Sequence, residues 1–377
     1  MKTIELAGRT RRQVEIGLWD THEPLPSGFR DAWDSALRSS PHAHFAVDLE
    51  YLRWEASRDR HARALLIEGA GRRGAIVQRR LEGRWVSGWP WRWQVLMCDA
   101  DPASPLGMTA AEAHWLHTHA ARVAGTSDVV THLPHAPARG IAGWPAGATI
   151  VQDLGRTDEE IIEGMEPSKR RLLRRARSHQ LEVAAVPSAG DARAFHRLQQ
   201  VWKERMRLPS EPTPERVERS GDSWREWELP WMWLLVARHE GEVVAGLGSG
   251  VRSPGTLQAR AAASTLAARK LGATVLLGYE EVRRGRDLGH RWLNHGGDTP
   301  FKREMSGRLG RSIRVYGWIG GARSRAWWHR SEAVLRNVRP VVARLRRRLG
   351  LGSGWAGMFV KLAALLLPLA ADFAPGT

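Results

Sequence analysis

The chain has 377 residues, 57 of them Lys or Arg and 40 Asp or Glu, giving a net charge of +17. A hydrophobic content of 42% supplies enough apolar surface for a packed core and excludes wholesale disorder, while a single cysteine, Cys98, excludes an internal disulfide framework and a cysteine zinc cluster. The charge calls for an anionic partner without choosing among nucleic acid, a phosphorylated cofactor and an anionic lipid surface.

Two domains are expected for this length, at ~100–200 residues each. The N-terminal segment lacks an apolar core of signal-peptide length, and no run of ~18 uninterrupted apolar residues occurs. A cytoplasmic location is therefore expected. In the first part of the chain, 31–41 and 45–56 read as helices. Residues 62–69 and 74–83 read as strands parted by a Gly/Arg turn. An Ala-rich helix follows over 109–125, with Thr109 as its cap and Gly125 as its stop, and then a strand, DVVTHL. The Pro- and Gly-rich stretch 131–148 reads as a linker that closes a first module at 1–150.

The second module, 151–321, opens with VQDLG. Its 157–183 segment places acids before cations, as a helix dipole favours, and Gly164 and Pro167 split it into two helices. A helix over 192–207, a strand pair around the His-Glu-Gly turn within 231–251, and a third strand over 255–265 come next. A helix over 273–289 and strands over 290–297 and 312–321 complete a mixed α/β order. Beyond lies a basic tail, 322–377: residues 323–348 hold nine Arg against one acid, Glu332, and 358–373 is apolar but too short to span a membrane. Such a tail either packs on the fold or touches the cytoplasmic face of a membrane through 323–373.

Three segments could carry chemistry. Six of the nine residues from Lys169 to Arg177 are cationic, with Leu172, Leu173 and Ala176 forming the packing stripe, so Lys169, Arg171 and Arg175 are candidates to hold phosphate. Arg269, Gly272 and Thr274 form R-x-x-G-x-T ahead of a helix, where free backbone N–H groups and the helix dipole suit a pyrophosphate. Gly296, Gly297 and Asp298 precede Pro300, Phe301 and Lys302, and a lysine leaving a Gly-rich turn can meet an anionic group. The bland alternatives are a solvated helix face, an ordinary loop and a surface turn.

Taken together, these residues resemble the Fem-type and CelD-type branch of the GNAT-fold acyltransferases. Ser168, Lys169, Arg171, Arg175 and Ala176 match that branch's S-K-x-R-x-x-x-R-x-A helix, and Gly296 to Lys302 match its G-G-D-x-P-F-K segment. The resemblance covers about 155–320, with a weaker similarity over 42–135. It implies tandem GNAT-like modules, the first degenerate, built as a mixed α/β (α+β) sheet. It also implies transfer of an acyl group from acyl-CoA, or of an aminoacyl group from aminoacyl-tRNA, to an amine. The acceptors it implies are amino sugars or cell-envelope and exopolysaccharide precursors, often lipid-linked. Direct attack by an amine needs a base and donors for the oxyanion, and Glu280, Glu281, Asp298 and His295 are candidate bases. Tyr279 or Tyr316 could act as an acid toward the leaving thiolate. A rival of another class is a non-catalytic membrane- or nucleic-acid-binding protein on a decayed fold, since Leu293 stands where the family has Asp.

No metal site is expected: His114, His117 and His119 lack completing ligands. GLGSG at 246–250 lacks the glycine spacing of a serine-hydrolase elbow. Among 19 tryptophans, Trp85, Trp89, Trp91 and Trp93, and Trp224, Trp227, Trp231 and Trp233, form two groups; these read as packing residues, or as a groove lining if Trp89, Trp91 and Trp93 share a strand face.

Overall fold

The computed structural model describes residues 2–3, 14–40, 42–58, 60–81, 84–87, 95–98, 100–124, 129–185, 188–205, 223–250 and 255–320. The tail 322–377, with the segment 323–373 expected either to pack on the fold or to touch a membrane, and Trp89, Trp91 and Trp93 lie outside the described residues. In the first half, strands β1 (Lys2–Thr3), β2 (Val14–Asp20), β3 (Ala62–Gly69), β4 (Arg72–Leu81), β5 (Arg84–Ser87), β6 (Val95–Met97) and β7 (Val129–Leu133) alternate with helices α1 (Phe29–Ser39), α2 (Leu49–Ala56) and α3 (Ala110–Ala124). The second half begins with β8 (Ala142–Asp153), α4 (Asp158–Gly164), α5 (Pro167–Ser178), β9 (Glu182–Ala185) and α6 (Ala189–Arg205). It continues with β10 (Met232–His239), β11 (Glu242–Gly250), β12 (Thr256–Ser264), α7 (Leu266–Leu271), α8 (Ala273–Asp287), β13 (Trp292–Gly297), α9 (Pro300–Ser306) and β14 (Gly310–Gly320).

Local chemistry explains the helix starts. Thr157 and Glu160 form a reciprocal capping box at α4, Thr109 and Glu112 form another at α3, and Ser188 with Asp191 does the same for α6. Asp48 caps α2 by accepting from Glu50 N, which breaks the expected 45–56 helix into a short 3₁₀ turn and α2. Pro167 occupies the first turn of α5, so the split after Gly164 is as the sequence predicts.

All strands join one mixed sheet in the order β1-β2-β3-β4-β5-β7-β14-β8-β13-β12-β11-β10-β9, with β6 pairing β4. The expected linker at 131–148 is a correction: its first residues end β7, and from Ala142 it is β8, which pairs antiparallel with both β14 and β13. Its glycines and proline misled because they serve close packing rather than a break. A Cβ on Gly143 would collide with Pro137 and Gly317 O, and Pro145 sits where the β14 register shifts. Residue 150 thus falls inside a strand common to both halves.

Two parallel pairings stand out, each three residues long and each joined by a helical crossover. Trp85–Ser87 of β5 pairs with Val129–Thr131 of β7 across α3, and Thr256–Gln258 of β12 pairs with Trp292–Asn294 of β13 across α7 and α8. This repetition is the tandem architecture the sequence predicts. The halves also share apolar packing: Met232 is buried in the core built by α1, α2, β3 and β4, and Trp227 and Trp231 pack against it. Trp227 also lies against Phe195 and over Gly248, so these tryptophans pack, as composition suggested.

Candidate active site

The site begins where β12 and β13 stop pairing. Beyond Gln258 and Asn294, β12 stays bonded to β11 and β13 to β8, so the two part company. A cavity of about 330 Å³ occupies the gap. Small side chains keep it open: Ala259, Ala261 and Ala262 line one wall, Gly296 and Gly297 the other. Thr274, Gly278 and Glu281 reach it from α8 at i, i+4 and i+7, one face of that helix, and Phe301, Lys302 and Met305 reach it from α9.

Gly296 explains how β13 turns away. With φ +74 it takes a left-handed conformation, its N–H donates to Asn294 Oδ1 at 2.9 Å, and its carbonyl accepts from the Thr149 hydroxyl at 2.7 Å. The turn delivers the chain to α9, which Thr299 caps and which presents Lys302 to the cavity. A Cβ on Gly296 would stand 3.5 Å from the Lys302 Nζ.

Glu281 is 1% exposed and accepts a hydrogen bond from the Ser249 hydroxyl of β11. Burial pushes its carboxyl up to about 7, against the opposing pull of that hydrogen bond and the Lys302 charge. Burial likewise lowers Lys302, with Glu281 and Asp298 opposing. No acidic oxygen lies within ion-pair distance of its ammonium among the described residues. His295 lines the same wall. Its Nε2 donates to Gln152 Oε1 at 2.8 Å, and burial with the nearby Lys302 charge pushes it down to about 3, so it stays neutral. Arg260, on the β12 wall, is ion-paired to Glu226 and stands 3.4 Å from the hydroxyl of Tyr51 on α2, so the first half of the chain reaches the cavity.

Of the predicted residues, Glu281, His295, Lys302 and Thr274 meet at this cavity. The others stand elsewhere. Asp298 accepts from Ser312 Oγ at 2.5 Å and lies 3.4 Å from Arg303; it does not line the cavity, though its charge acts on Lys302. Glu280, about 100° around α8 from Glu281, pairs with Arg283 at 2.8 Å and Arg284 at 3.2 Å. Tyr316 is half-buried on β14 opposite Leu133, packed on the first half's core. Tyr279 lies under Arg177, 4.9 Å from ring centroid to guanidinium. Arg269 is exposed in the last turn of α7, so the R-x-x-G-x-T stretch is helical up to Gly272 rather than an open loop. Gly272, with φ +91, joins α7 to α8, and a Cβ there would overlap Leu172 O of α5; its smallness serves helix packing.

Lys169 lies 2.9 Å from Glu304 and 4.9 Å from the ring centroid of Phe301, a residue that lines the cavity, while Arg171 and Arg175 lie on the exposed face of α5. Leu293 is fully buried beside Leu257 in the core under α8, a position for an apolar side chain. The candidate metal histidines serve packing: His117 bonds Thr131 Oγ1 and His119 bonds Trp115 O. Sequence reasoning missed Ser249, Gln152 and Arg260. Arg260 had a visible signal, the one charge in an otherwise small-residue strand, 256–264.

Comparison with known proteins bears on this geometry. A family model described as "Acetyltransferase (GNAT) domain" matches residues 168–303, which include every lining residue of the cavity except Met305. No curated protein matches the sequence. Among solved structures, that of FemX superposes with a TM-score of 0.56 at 10% identity, covering 76% of this chain and 95% of FemX. A conserved protein of unknown function from Bacteroides thetaiotaomicron reaches 0.49 at 11% identity, over 78% of this chain and 98% of the other. A tandem GNAT protein from the clavulanic acid biosynthesis pathway reaches 0.41 at 14% identity, over 81% and 98%.

Proposed function

We propose that the chain, whose residues 168–303 match the GNAT acetyltransferase domain, is an N-acyltransferase of the Fem/CelD type, moving an acyl group from acyl-CoA to an amine at the β12–β13 cavity. The observation that carries this reading is one buried carboxyl near neutrality and one ammonium with no ion pair among the described residues, both in the gap between two parted parallel strands. The supporting chemistry is direct. The amine attacks the thioester carbonyl, a C–N bond forms, the C–S bond breaks, and the proton leaving nitrogen passes to Glu281. A carboxylate at about 7 is a suitable base at neutral pH, whereas His295 at about 3 is too weak. Ser249 orients the Glu281 carboxylate, and Lys302 faces the negative charge that develops on the carbonyl oxygen.

For the donor's phosphates, the exposed arginines Arg171 and Arg175 and the cation Lys169 beside Phe301 are the suitable groups in this reading, with Arg269 on the adjoining helix. Gly272 is excluded as a close-approach point on its Cβ side by Leu172. The acceptor is an amino sugar or an envelope or exopolysaccharide precursor. The exposed α5 arginines also favour a second reading, an aminoacyl-tRNA donor at the same cavity. A binding titration of the purified chain with acetyl-CoA, a longer acyl-CoA and a charged tRNA pool, at low and moderate salt, decides between them. Saturable, acyl-length-dependent binding supports acyl-CoA. Binding of charged tRNA alone, with steep salt dependence, moves the donor to tRNA. Binding of neither sinks both donors.

A further inference from the structure

The first half of the sheet holds a second group of unsatisfied polar atoms, far in sequence from the cavity. Register places Arg63 of β3 opposite Asp20 of β2 and Gln78 of β4, and Ser87 of β5 opposite Thr131 of β7. Arg79 faces Val86, so Gln78 and Ser87 come next to each other in the same row. Side chains in one such row share a face of the sheet. The row is buried: Gln78, Ser87 and Thr131 are fully enclosed and Arg63 is 6% exposed.

Three atoms in this row lack a hydrogen-bond partner: one Arg63 Nη, Gln78 Nε2 and Ser87 Oγ. Arg63 Nε donates to Gln78 Oε1 at 2.7 Å, which uses the amide oxygen and leaves its NH₂ unsatisfied. Arg63 makes no ion pair among the described residues. The neighbouring acid, Asp20, is taken by His61 Nε2 at 2.8 Å. What Arg63 has instead is the Trp85 ring, 4.0 Å from its guanidinium, a ring that the exposed Arg80 also approaches at 5.6 Å. The Asp20 carboxylate, shared with His61, acts on the Arg63 guanidinium without bonding it, and a buried guanidinium N–H or amide NH₂ without an acceptor is unfavourable. Two N–H donors and a hydroxyl in adjacent strands, with the Arg63 and Arg80 guanidinium groups set against one carboxylate, Asp20, and no acceptor among the described residues, ask for oxygen.

The geometry points to an oxyanion-binding site, for a carboxylate or phosphate group, formed by Arg63, Gln78 and Ser87 beside Trp85. It stands at the end of the β5–β7 pairing, the position in the first half that corresponds to the cavity in the second. It is independent of the acyltransfer reading, because no residue is common to the two.

The test is thermal unfolding of the full chain in phosphate, acetate and chloride at matched ionic strength, in the Lys302→Met background to silence the cavity. Phosphate or acetate should raise the midpoint above chloride, and the arm with the larger rise identifies the oxyanion. Arg63→Met should abolish the difference, and Ser87→Ala or Gln78→Leu should weaken binding by about tenfold or less each. If Arg63→Met does not fold, the two milder variants still decide. Equal midpoints in all three salts, or an oxyanion effect untouched by Gln78→Leu and Ser87→Ala, overturn the site and leave ordered water as the occupant.

Discussion

The β5–β7 and β12–β13 seams share a construction and differ in filling. Both are parallel, three residues long and joined by a helical crossover, α3 in the first and α7 with α8 in the second. Beside Ser87 and Thr131, the described side chains narrow the first to a buried polar row: His132 Nδ1 bonds Ser87 O at 3.0 Å, His117 bonds Thr131 Oγ1 at 3.1 Å, and Trp85 is buried in the core there. After Gln258 and Asn294, the second is lined by alanines and glycines and remains open. The topology supplies a seam in both halves, and side-chain volume and polarity decide how open each one is. The helices differ in the same way. The crossover α3 sends His117 to a neighbouring strand as a packing group, held neutral by burial that pushes it down to about 4, whereas α8 sends Glu281, whose burial brings it to about 7.

The sharpest way to break this contrast is to remove the one group that separates the seams chemically. Glu281→Gln should lower kcat by about 10²–10⁴-fold with little change in KM for either substrate. In the unaltered enzyme, kcat/KM should fall by tenfold per pH unit below about 7, as the carboxylate is protonated, and the residual activity of the Gln variant should lack that limb. An unchanged rate in Glu281→Gln would assign the proton transfer elsewhere.

The same carboxyl leaves a mark on stability. Its folded value of about 7 lies above its ordinary 4.5, so the folded chain binds the proton more tightly. The stability this supplies is complete below about 4.5 and is lost as pH rises through about 7, a total of about 3 kcal/mol. His295 acts with the opposite sign: its folded value of about 3 lies below 6.5, so its contribution is present above 6.5 and lost as pH falls. Between 4.5 and 6.5 the two slopes oppose each other and the whole-protein profile conceals both. The stability difference between Glu281→Gln and the unaltered chain, from urea unfolding at pH 4.5 and pH 8, isolates the glutamate. It should move in favour of the variant at pH 8, and a pH-independent difference would refute the raised value.

Lys302→Met comes next in size. In the acyltransfer reading, loss of this half-buried ammonium in the cavity should cost about 10–100-fold in kcat, because its interaction with the reacting carbonyl grows as charge develops. A rise in KM with kcat preserved would make Lys302 a ground-state binding group. The Glu281 pH limb should also shift upward in this variant, since the lysine charge holds that carboxyl down.

Much of the second half was legible because its local chemistry agrees with its fold. Pro167, Gly289 and the Glu240-Gly241 turn punctuate the chain where the structure does. Lys302 and Glu281 could be named from their places behind the glycine turn and on the helix. The choice between Glu280 and Glu281 could not, because adjacent residues on a helix differ only in the face they present, and what covers each face is settled by β11 and α9. Nor could β8 be read, since Gly143 and Pro145 punctuate loops and also permit close strand approach. The buried polar partners Gln152, Ser249 and Arg260 come from three separate strands, and only the sheet order brings them to one place.

The smallest expected effect tests the surface that feeds the open seam. Arg171 and Arg175 are four residues apart on α5, exposed beyond the Leu173 and Ala176 stripe that packs the helix onto α8. Their removal therefore costs little stability. As screened surface charges they should contribute about 0.3–1 kcal/mol each to holding a phosphorylated donor. Arg171→Ala and Arg175→Ala should each raise the donor KM by about two- to fivefold, leave kcat unchanged, and lose their effect as salt rises. An acyl-CoA donor predicts that the double variant still saturates at moderate salt. A tRNA donor, with many phosphates spread over this face, predicts that the same variant lowers the slope of log affinity against log salt by about two. The size of that slope change, more than the loss of affinity, identifies which phosphates this helix meets.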